Sequence, residues 1–107
     1  MSSSKNDHKT DLEEFNAHCH TGAELFAEKD QKYMSAYKGT GLLGVACEII
    51  GITRRLYPLV VWDVRHGGSS TDTLRDILTD LHNYSVMALM CVDAKNWDGR
   101  FHHHEEK

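Results

Sequence analysis

The feature that most constrains this fold is a long helical rhythm of apolar residues in the second half of the chain. Its members recur at spacings of three and four residues over three heptads: Leu74, Ile77, Leu78, Leu81, Tyr84, Ala88 and Cys91. This spacing places side chains on one face of an α-helix, whereas a strand alternates every second residue. The pattern predicts a helix from Thr71 or Asp72 to about Asp93 that packs against another helix.

Two further segments have the same periodicity. Thr10 and Glu13 have the spacing of a capping box, and they predict a first helix to about Asp30 with this stripe: Leu12, Phe15, Cys19, Ala23 and Phe26. A second helix is predicted from about Leu42 to Tyr57, with this buried face: Leu42, Ala46, Ile49, Thr53 and Leu56, widened by Leu43 and Ile50. Pro58 should end or kink it, and the pattern of residues 59–64 favours further helix over a strand.

These segments predict an all-α fold, a small helical bundle of three to four helices. The length of 107 residues leaves room for one core only. We expect a single domain over residues 10–98, a flexible segment at residues 1–9 and a polar, His-rich tail at residues 99–107. The apolar faces of the second and third helices exceed what the first can cover, which predicts a homodimer or higher homo-oligomer.

Composition narrows the function classes. The net charge of −4 argues against general nucleic-acid binding. No stretch of about 18 apolar residues could span a bilayer, and residues 1–10 have no apolar core of a secretory signal, so we expect no membrane partner and a cytoplasmic location. Three scattered cysteines without C-x-x-C spacing favour small core residues over disulfides or a zinc site.

Two polar stripes carry candidate chemistry. Asp72, Asp76, Asp80 and Asn83 follow one another at helical spacing on the third helix, so their oxygens could hold a divalent cation or form only a solvated face. On the second helix the stripe is Gly44, Glu48, Gly51 and Arg55. Each glycine inside a helix lowers its stability by about 1 kcal/mol. The two glycines of this stripe therefore indicate that a ligand or another helix approaches the backbone closely.

A third cluster lies near the end of the first helix. Lys29 and Lys32 are followed by Tyr33, Tyr37 and Lys38, and lysines beside tyrosines could meet a phosphate and stack on a base. Lysines at a helix end are also common as solvated residues. The residues alone leave both interpretations open.

Taken together, these residues resemble a known family. The resemblance rests on residues 29–37, 41–45, 54–56, 76–84 and 87–89, and its most specific part is the run Asp80-Leu81-x-Asn83-Tyr84 with Asp76 before it. The chain resembles the nucleotide modification associated domain family common in phage genomes, which looks like a small branch of the all-α nucleoside triphosphate pyrophosphatases, the MazG-like and dimeric dUTPase group. The similarity spans residues 15–93.

The resemblance implies a MazG-like helical dimer or tetramer that binds a nucleotide over Mg²⁺ and hydrolyses it between the α and β phosphates. Asp80 and Asn83 match one ligand pair of that superfamily, and Asp76 lies one turn earlier. Glu48 matches the other pair singly, because Val45 and Gly51 at the partner positions cannot ligate through their side chains.

These matches imply specific roles. Glu48 and Asp80 are the candidate catalytic residues, and with Asp76 they are the candidate Mg²⁺ ligands. The candidate substrate-binding residues are Lys29, Lys32, Tyr33, Arg55 and Asn83.

Three function classes follow. The first is a Mg²⁺-dependent pyrophosphatase acting on a (deoxy)nucleoside triphosphate in the cytoplasm, which is the host cytoplasm if the protein is phage-encoded. The second is a non-catalytic relative that binds or sequesters a nucleotide or nucleotide second messenger, and the single match at Glu48 favours it. The third is a helical interaction adaptor whose polar stripes are only solvated.

Overall fold

The computed structural model describes the backbone of residues 3–33 and 36–100, and the side chains of residues 10–31 and 36–100. All regular structure in these ranges is helical, which confirms the predicted all-α class. The elements are α1 (Ser3–Tyr33), a 3-10 helix (Ala36–Gly39), α2 (Gly41–His66) and α3 (Thr71–Asp93). The first two residues, and residues 101–107 of the predicted His-rich tail, lie outside the described part.

Helix α3 matches its prediction in extent and in most of its buried face. It runs from Thr71 to Asp93, and Ile77 and Cys91 are buried while most other members of the stripe are half-buried. Leu78 is the exception, because its side chain is exposed. The heptad rhythm therefore identifies the face that packs along α2, the most extensive helix pairing of the fold.

Helix α2 differs from its prediction in length and in orientation. It continues through Pro58 to His66, so residues 59–64 are helical as favoured but belong to the same helix. Its buried apolar residues are Val45 and Ile52, which were not on the predicted face. Four members of the predicted face are half-buried (Leu42, Ala46, Ile49 and Leu56), whereas Leu43, Ile50 and Thr53 are exposed. Apolar residues surround much of this helix, and periodicity alone cannot decide which side turns inward.

Helix α1 begins at Ser3, well before the predicted start at Thr10, so the predicted capping box is wrong. Residues 3–10 contain no proline or glycine that would stop a helix. Leu12 and Phe15 of the predicted stripe are exposed, and the contact with α3 begins further along, around Gly22. The glycine therefore marks the crossing of two helices and does not break α1.

A tight turn joins α2 to α3. Gly67 adopts a left-handed conformation with φ 72° and caps α2 by donating its backbone N–H to the Asp63 carbonyl. The Asp63 carboxylate accepts from the Ser70 backbone N–H at 3.0 Å and 3.2 Å, directly before α3. One aspartate thus serves the end of one helix and the beginning of the next.

The segment after α3, residues 94–100, folds back onto the beginning of α2. The backbone N–H groups of Leu42 and Leu43 donate to the carbonyls of Asn96 and Trp97 at 2.9 Å and 2.8 Å. The buried Asn96 side chain also donates to the Lys38 carbonyl at 2.9 Å. The carbonyls of Asn96 and Trp97 thus satisfy amide groups that the first turn of a helix leaves without partners.

The described chain buries little apolar surface. Its buried hydrophobic side chains are Val45, Ile52, Ile77 and Cys91. The radius of gyration is 17.6 Å, against about 13 Å for a compact domain of 100 residues. Among the cysteines only Cys91 is buried; Cys47 is exposed, so its predicted core position is wrong. None of the described helices combines the length and hydropathy needed to cross a membrane.

Candidate functional site

A cavity opens where α1, the 3-10 helix, α2 and α3 meet, and its volume is about 680 Å³. Four of the residues selected from the sequence line it: Lys29, Glu48, Asp80 and Asn83. Helix α3 contributes Asp80 and Asn83 from adjacent turns, and Glu48 faces them from α2. The cavity has the volume of a small-molecule site, typically 300–1,000 Å³.

An ion pair links α1 to α3 at this cavity. Lys29 Nζ donates to Asp80 Oδ1 at 3.4 Å, and the Asp80 side chain is one-third exposed. Asp30 and Glu48 also line the cavity, so its walls carry three carboxylates and one ammonium group. Unless a counter-cation accompanies it, a polyphosphate would therefore be repelled from this cavity.

Asn83 is the last residue of the polar stripe of α3 and is buried, with 7% of its surface exposed. Its Oδ1 lies 2.9 Å from His82 Nδ1. A Cβ added at Gly22 would lie 2.7 Å from His82 Nδ1 and 2.8 Å from Asn83 Oδ1. The α1 backbone therefore holds the Asn83 side chain beside the cavity, and the polar stripe of α3 turns from solvent at Asp72 to the interior at Asn83.

Aromatic residues form the apolar part of the lining. The rings of Phe26 and Tyr37 meet edge to face with their centroids 6.3 Å apart. Tyr84 and Met87 of α3 add further apolar surface. The Tyr37 hydroxyl lies 4.0 Å from the Met90 sulfur. The cavity thus combines ring faces with hydrogen-bonding groups, as ligand sites commonly do.

Two phenols at the cavity have perturbed acidity. Burial raises the pKa of Tyr84 from 10.0, and the negative charges of Glu48 and Asp80 raise it further while Lys29 lowers it. Burial, then Asp30 and Cys91, raise the pKa of Tyr37 from the same value. Both phenols are therefore neutral near pH 7 and available as hydrogen-bond donors.

A second cleft of about 600 Å³ adjoins the first cavity, and Asp80 lines both. Its polar lining includes Arg54, Arg55 and Asp76, with Thr73 at one side. Within the described residues, neither arginine side chain forms an ion pair or hydrogen bond with another residue. The second cleft therefore presents two uncommitted guanidinium groups beside the acidic first cavity.

The structure distributes the predicted Mg²⁺ ligands between these two spaces. Glu48 lines the first cavity, Asp76 the second cleft, and Asp80 lies between them and is paired with Lys29. In the described ranges, no group of three or more His, Cys, Asp or Glu side chains is arranged to hold a metal ion. The residues therefore do not fit a metal site formed by the protein alone, and Mg²⁺ binding stays a prediction.

The other sequence-selected residues have mixed outcomes. Arg55 lines the second cleft, apart from Lys29 and Glu48. The side chains of Lys32 and Tyr33 lie outside the described part of the chain. A Cβ at Gly44 would collide with the Thr40 side chain. Gly44 lines the first cavity whereas Gly51 lines neither space, so the two glycines do not face one shared site.

Sequence reasoning overlooked several lining residues. Phe26 was assigned only to a core stripe, and Tyr84 was part of a family-like run without a role. Arg54 was passed over beside Arg55. Tyr84 and Arg54 belonged to recognised runs of residues, but their place in those runs did not show which side chains face a shared space. Tyr37 of the lysine and tyrosine cluster does line the first cavity.

Comparison with known proteins adds no relative. No protein-family model matches the chain, and neither the curated proteins nor the solved structures provide a match. The family resemblance of the sequence motifs therefore stays an expectation.

Proposed function

We propose that the protein is a nucleotide-binding protein of the all-α pyrophosphatase type that holds its ligand across the two adjoining spaces. The observation that carries the proposal is the cavity in which Phe26, Tyr37 and Tyr84 meet the polar groups of Lys29 and Asn83. Ring faces can stack on a base, and the polar groups can pair with its edge and with ribose hydroxyls.

Charge decides the orientation of the ligand. The carboxylates of Asp30, Glu48 and Asp80 suit the amino and hydroxyl donors of a nucleoside but repel phosphates. The guanidinium groups of Arg54 and Arg55 in the neighbouring cleft suit phosphate oxygens. We therefore assign the base and sugar to the first cavity and the phosphates to the second cleft.

The spacing along α2 agrees with this orientation. Glu48 and Arg55 are seven residues apart, which corresponds to about 10.5 Å along a helix. An extended nucleoside polyphosphate is long enough to bridge such a separation. Asp80, which lines both spaces, would lie beside the junction of sugar and phosphate.

Hydrolysis between the α and β phosphates is the second candidate function. It is favoured by Asp76 and Asp80, which line the cleft assigned to the phosphates, because Mg²⁺ is often held by one or two carboxylates together with substrate phosphates. The proposal also includes a homodimer or higher homo-oligomer as the functional form, and it implies a cytoplasmic location, where nucleotides are made and consumed.

The decisive experiment compares nucleosides with their mono- and triphosphates, with and without Mg²⁺. Binding is measured by thermal shift and calorimetry, and turnover by product release. We expect a nucleotide to bind and its nucleoside to bind more weakly. Turnover with Mg²⁺ would establish the hydrolase, and stabilisation without turnover the binder. If no nucleotide binds or is hydrolysed, the proposal is wrong and an interaction adaptor is favoured.

Variants test the assigned orientation. Arg54→Ala and Arg55→Ala should weaken the phosphorylated ligand about tenfold, or 1.4 kcal/mol, and leave nucleoside affinity unchanged. Arg65→Ala, an exposed arginine in the last turn of the same helix, is the matched control. Equal losses for nucleoside and nucleotide would contradict the placement of the phosphates.

The shared residue Asp80 has its own control. Asp80→Asn should weaken nucleotide binding at least tenfold, because the residue lines both spaces and pairs with Lys29. Removing this partly exposed charge should cost the fold well under 1 kcal/mol. Asp72→Asn, which changes an exposed residue in the first turn of α3, should leave binding unchanged. Unchanged nucleotide affinity in Asp80→Asn would show that the Lys29–Asp80 ion pair is not part of the nucleotide site.

A further inference from the structure

Glu48 is a carboxylate of the first cavity that is available to a ligand. Its side chain is exposed and forms no ion pair or hydrogen bond with any described residue. Of the other two carboxylates at this cavity, Asp80 is paired with Lys29 at 3.4 Å and Asp30 interacts with another residue. Glu48 lines the cavity assigned to the base and sugar but not the cleft assigned to the phosphates. Its two oxygens are therefore free acceptors at the base end of the site.

Asn83 supplies a hydrogen-bond donor to the same cavity. Its Oδ1 lies 2.9 Å from His82 Nδ1, and its Nδ2 donates to no described residue. Among the described residues, no buried side-chain nitrogen or oxygen is both shut off from solvent and without a partner. The Nδ2 group is therefore accessible from the cavity that Asn83 lines. A ligand with an acceptor at this position would satisfy the amide.

Tyr84 brings the acceptor and the donor sides of the cavity together. The negative charges of Glu48 and Asp80 raise the pKa of the Tyr84 phenol, and Lys29 lowers it. All three charged groups therefore lie within electrostatic reach of one hydroxyl, so Glu48 on α2 faces the same space as the α3 side chains. The Tyr84 ring adds a flat face on which a base can stack.

We infer that the first cavity selects guanine over the other bases, with Glu48 as the residue that reads the base. This assignment rests on the proposed nucleotide-binding function and names the base within it. Guanine has two adjacent donors, N1–H and the N2 amino group, and one carboxylate can accept from both in a bidentate pair. The O6 acceptor on the same edge of guanine matches the amide donor of Asn83.

The other bases match these groups less well. Adenine has the N1 acceptor beside its amino group, and cytosine has the N3 acceptor there, so a carboxylate would gain one hydrogen bond and face one lone pair. Uracil and thymine flank a single N–H with two carbonyl oxygens, which a carboxylate repels. Hydrogen-bonding groups that meet the wrong partner discriminate more strongly between ligands than an apolar surface does.

The test measures the binding of GMP, IMP, AMP and UMP to the full chain by calorimetry. Monophosphates lack a bond between α and β phosphates, so hydrolysis of that bond does not affect the measurement. IMP differs from GMP only in lacking the 2-amino group. We expect GMP to bind about tenfold or more tightly than IMP and AMP, because one bidentate pair is lost, and UMP to bind most weakly.

Glu48→Gln tests the assigned reader of the base. The amide has nearly the shape of the carboxylate but replaces one acceptor with a donor. The affinity for GMP should therefore fall about tenfold, and the preference of GMP over IMP should disappear. Glu28→Gln is the matched control, because Glu28 is exposed on α1 and lines neither space. It should leave the affinity for GMP unchanged, and thermal melting reports whether both variants are folded.

The possible outcomes are distinct. Equal affinity for GMP and IMP would overturn the selection of guanine and leave nucleotide binding intact. A preference for GMP that persists in Glu48→Gln would overturn the role of Glu48. If none of the monophosphates binds, the selection of guanine is wrong, and the triphosphate series then decides the proposed function separately. If Glu48→Gln does not fold, the comparison of GMP with IMP on the wild type decides, because it changes only the ligand.

Discussion

At the scale of single residues, glycines that look alike in the sequence have opposite roles. Gly22 lies where α1 crosses α3, and a Cβ there would approach both His82 and Asn83 within 3 Å. Gly51 lies on an exposed part of α2, where such a Cβ would meet no side chain and no other helix within 4 Å. The sequence showed two glycines inside helices, and only the packing shows which one is required.

This contrast predicts opposite effects of the same substitution. Gly51→Ala should raise the free energy of unfolding by about 1 kcal/mol, since alanine is the better helix former. Gly22→Ala should lower it, because displacing His82 and Asn83 costs about 1–3 kcal/mol and exceeds that gain. Urea unfolding of both variants measures the difference, and equal stabilisation by both would contradict the close crossing.

The perturbed phenols predict a dependence of stability on alkaline pH. A pKa raised above 10.0 in the folded state means that the unfolded chain releases its proton first as pH increases. The contribution of Tyr37 and Tyr84 to stability is therefore complete below about pH 10 and is lost as pH rises through their folded pKa values.

Variants of each phenol can isolate this effect. Tyr84→Phe should flatten the fall in unfolding free energy between pH 9.5 and pH 11 relative to wild type, because the phenol with the raised pKa is then absent. Urea unfolding at several pH values provides the data. If the free energy of unfolding depends on pH in the same way for wild type and Tyr84→Phe, the phenol does not interact with its buried surroundings.

At the scale of elements, the sequence predicts best where a helix has one apolar face. The stripe of α3 has a single seam, and both its extent and its buried residues Ile77 and Cys91 follow from spacing. Helix α2 carries apolar residues around much of its circumference, so the burial of Val45 and Ile52 depends on where α3 packs. Periodicity gives the angle between residues on a helix but not the rotation of that helix in the fold.

The site was predictable to a similar degree. Motif spacing identified Lys29, Glu48, Asp80 and Asn83, and these do line one cavity. The same spacing grouped Arg55 with Glu48, although two helical turns separate them and each lines a different space. Alignment along a helix shows that residues share a side, whereas enclosure depends on the other elements that surround that side.

At the scale of the whole molecule, the principal extents are 63 × 34 × 22 Å, which describes a long, thin body. Helix α1 accounts for part of this length, because its 31 residues correspond to about 46 Å of helix. Its apolar residues Leu12 and Phe15 are exposed. Small domains have a high surface-to-volume ratio, and an elongated one exposes still more apolar surface. The shape therefore favours the proposed homodimer or higher homo-oligomer, in which a second copy would cover part of the exposed apolar surface.

The crossing of α1 and α3 at Gly22 also has a consequence for synthesis of the protein. Translation makes α1 first, but the side chains that receive it, His82 and Asn83, are among the last third of the chain. While α3 is still inside the ribosome, the first helix lacks its contact with His82 and Asn83, and isolated helices are only marginally stable in water. Helix α1 should thus dock only after α3 has left the ribosome, and nascent chains arrested after residue 70 should leave its amides open to hydrogen exchange.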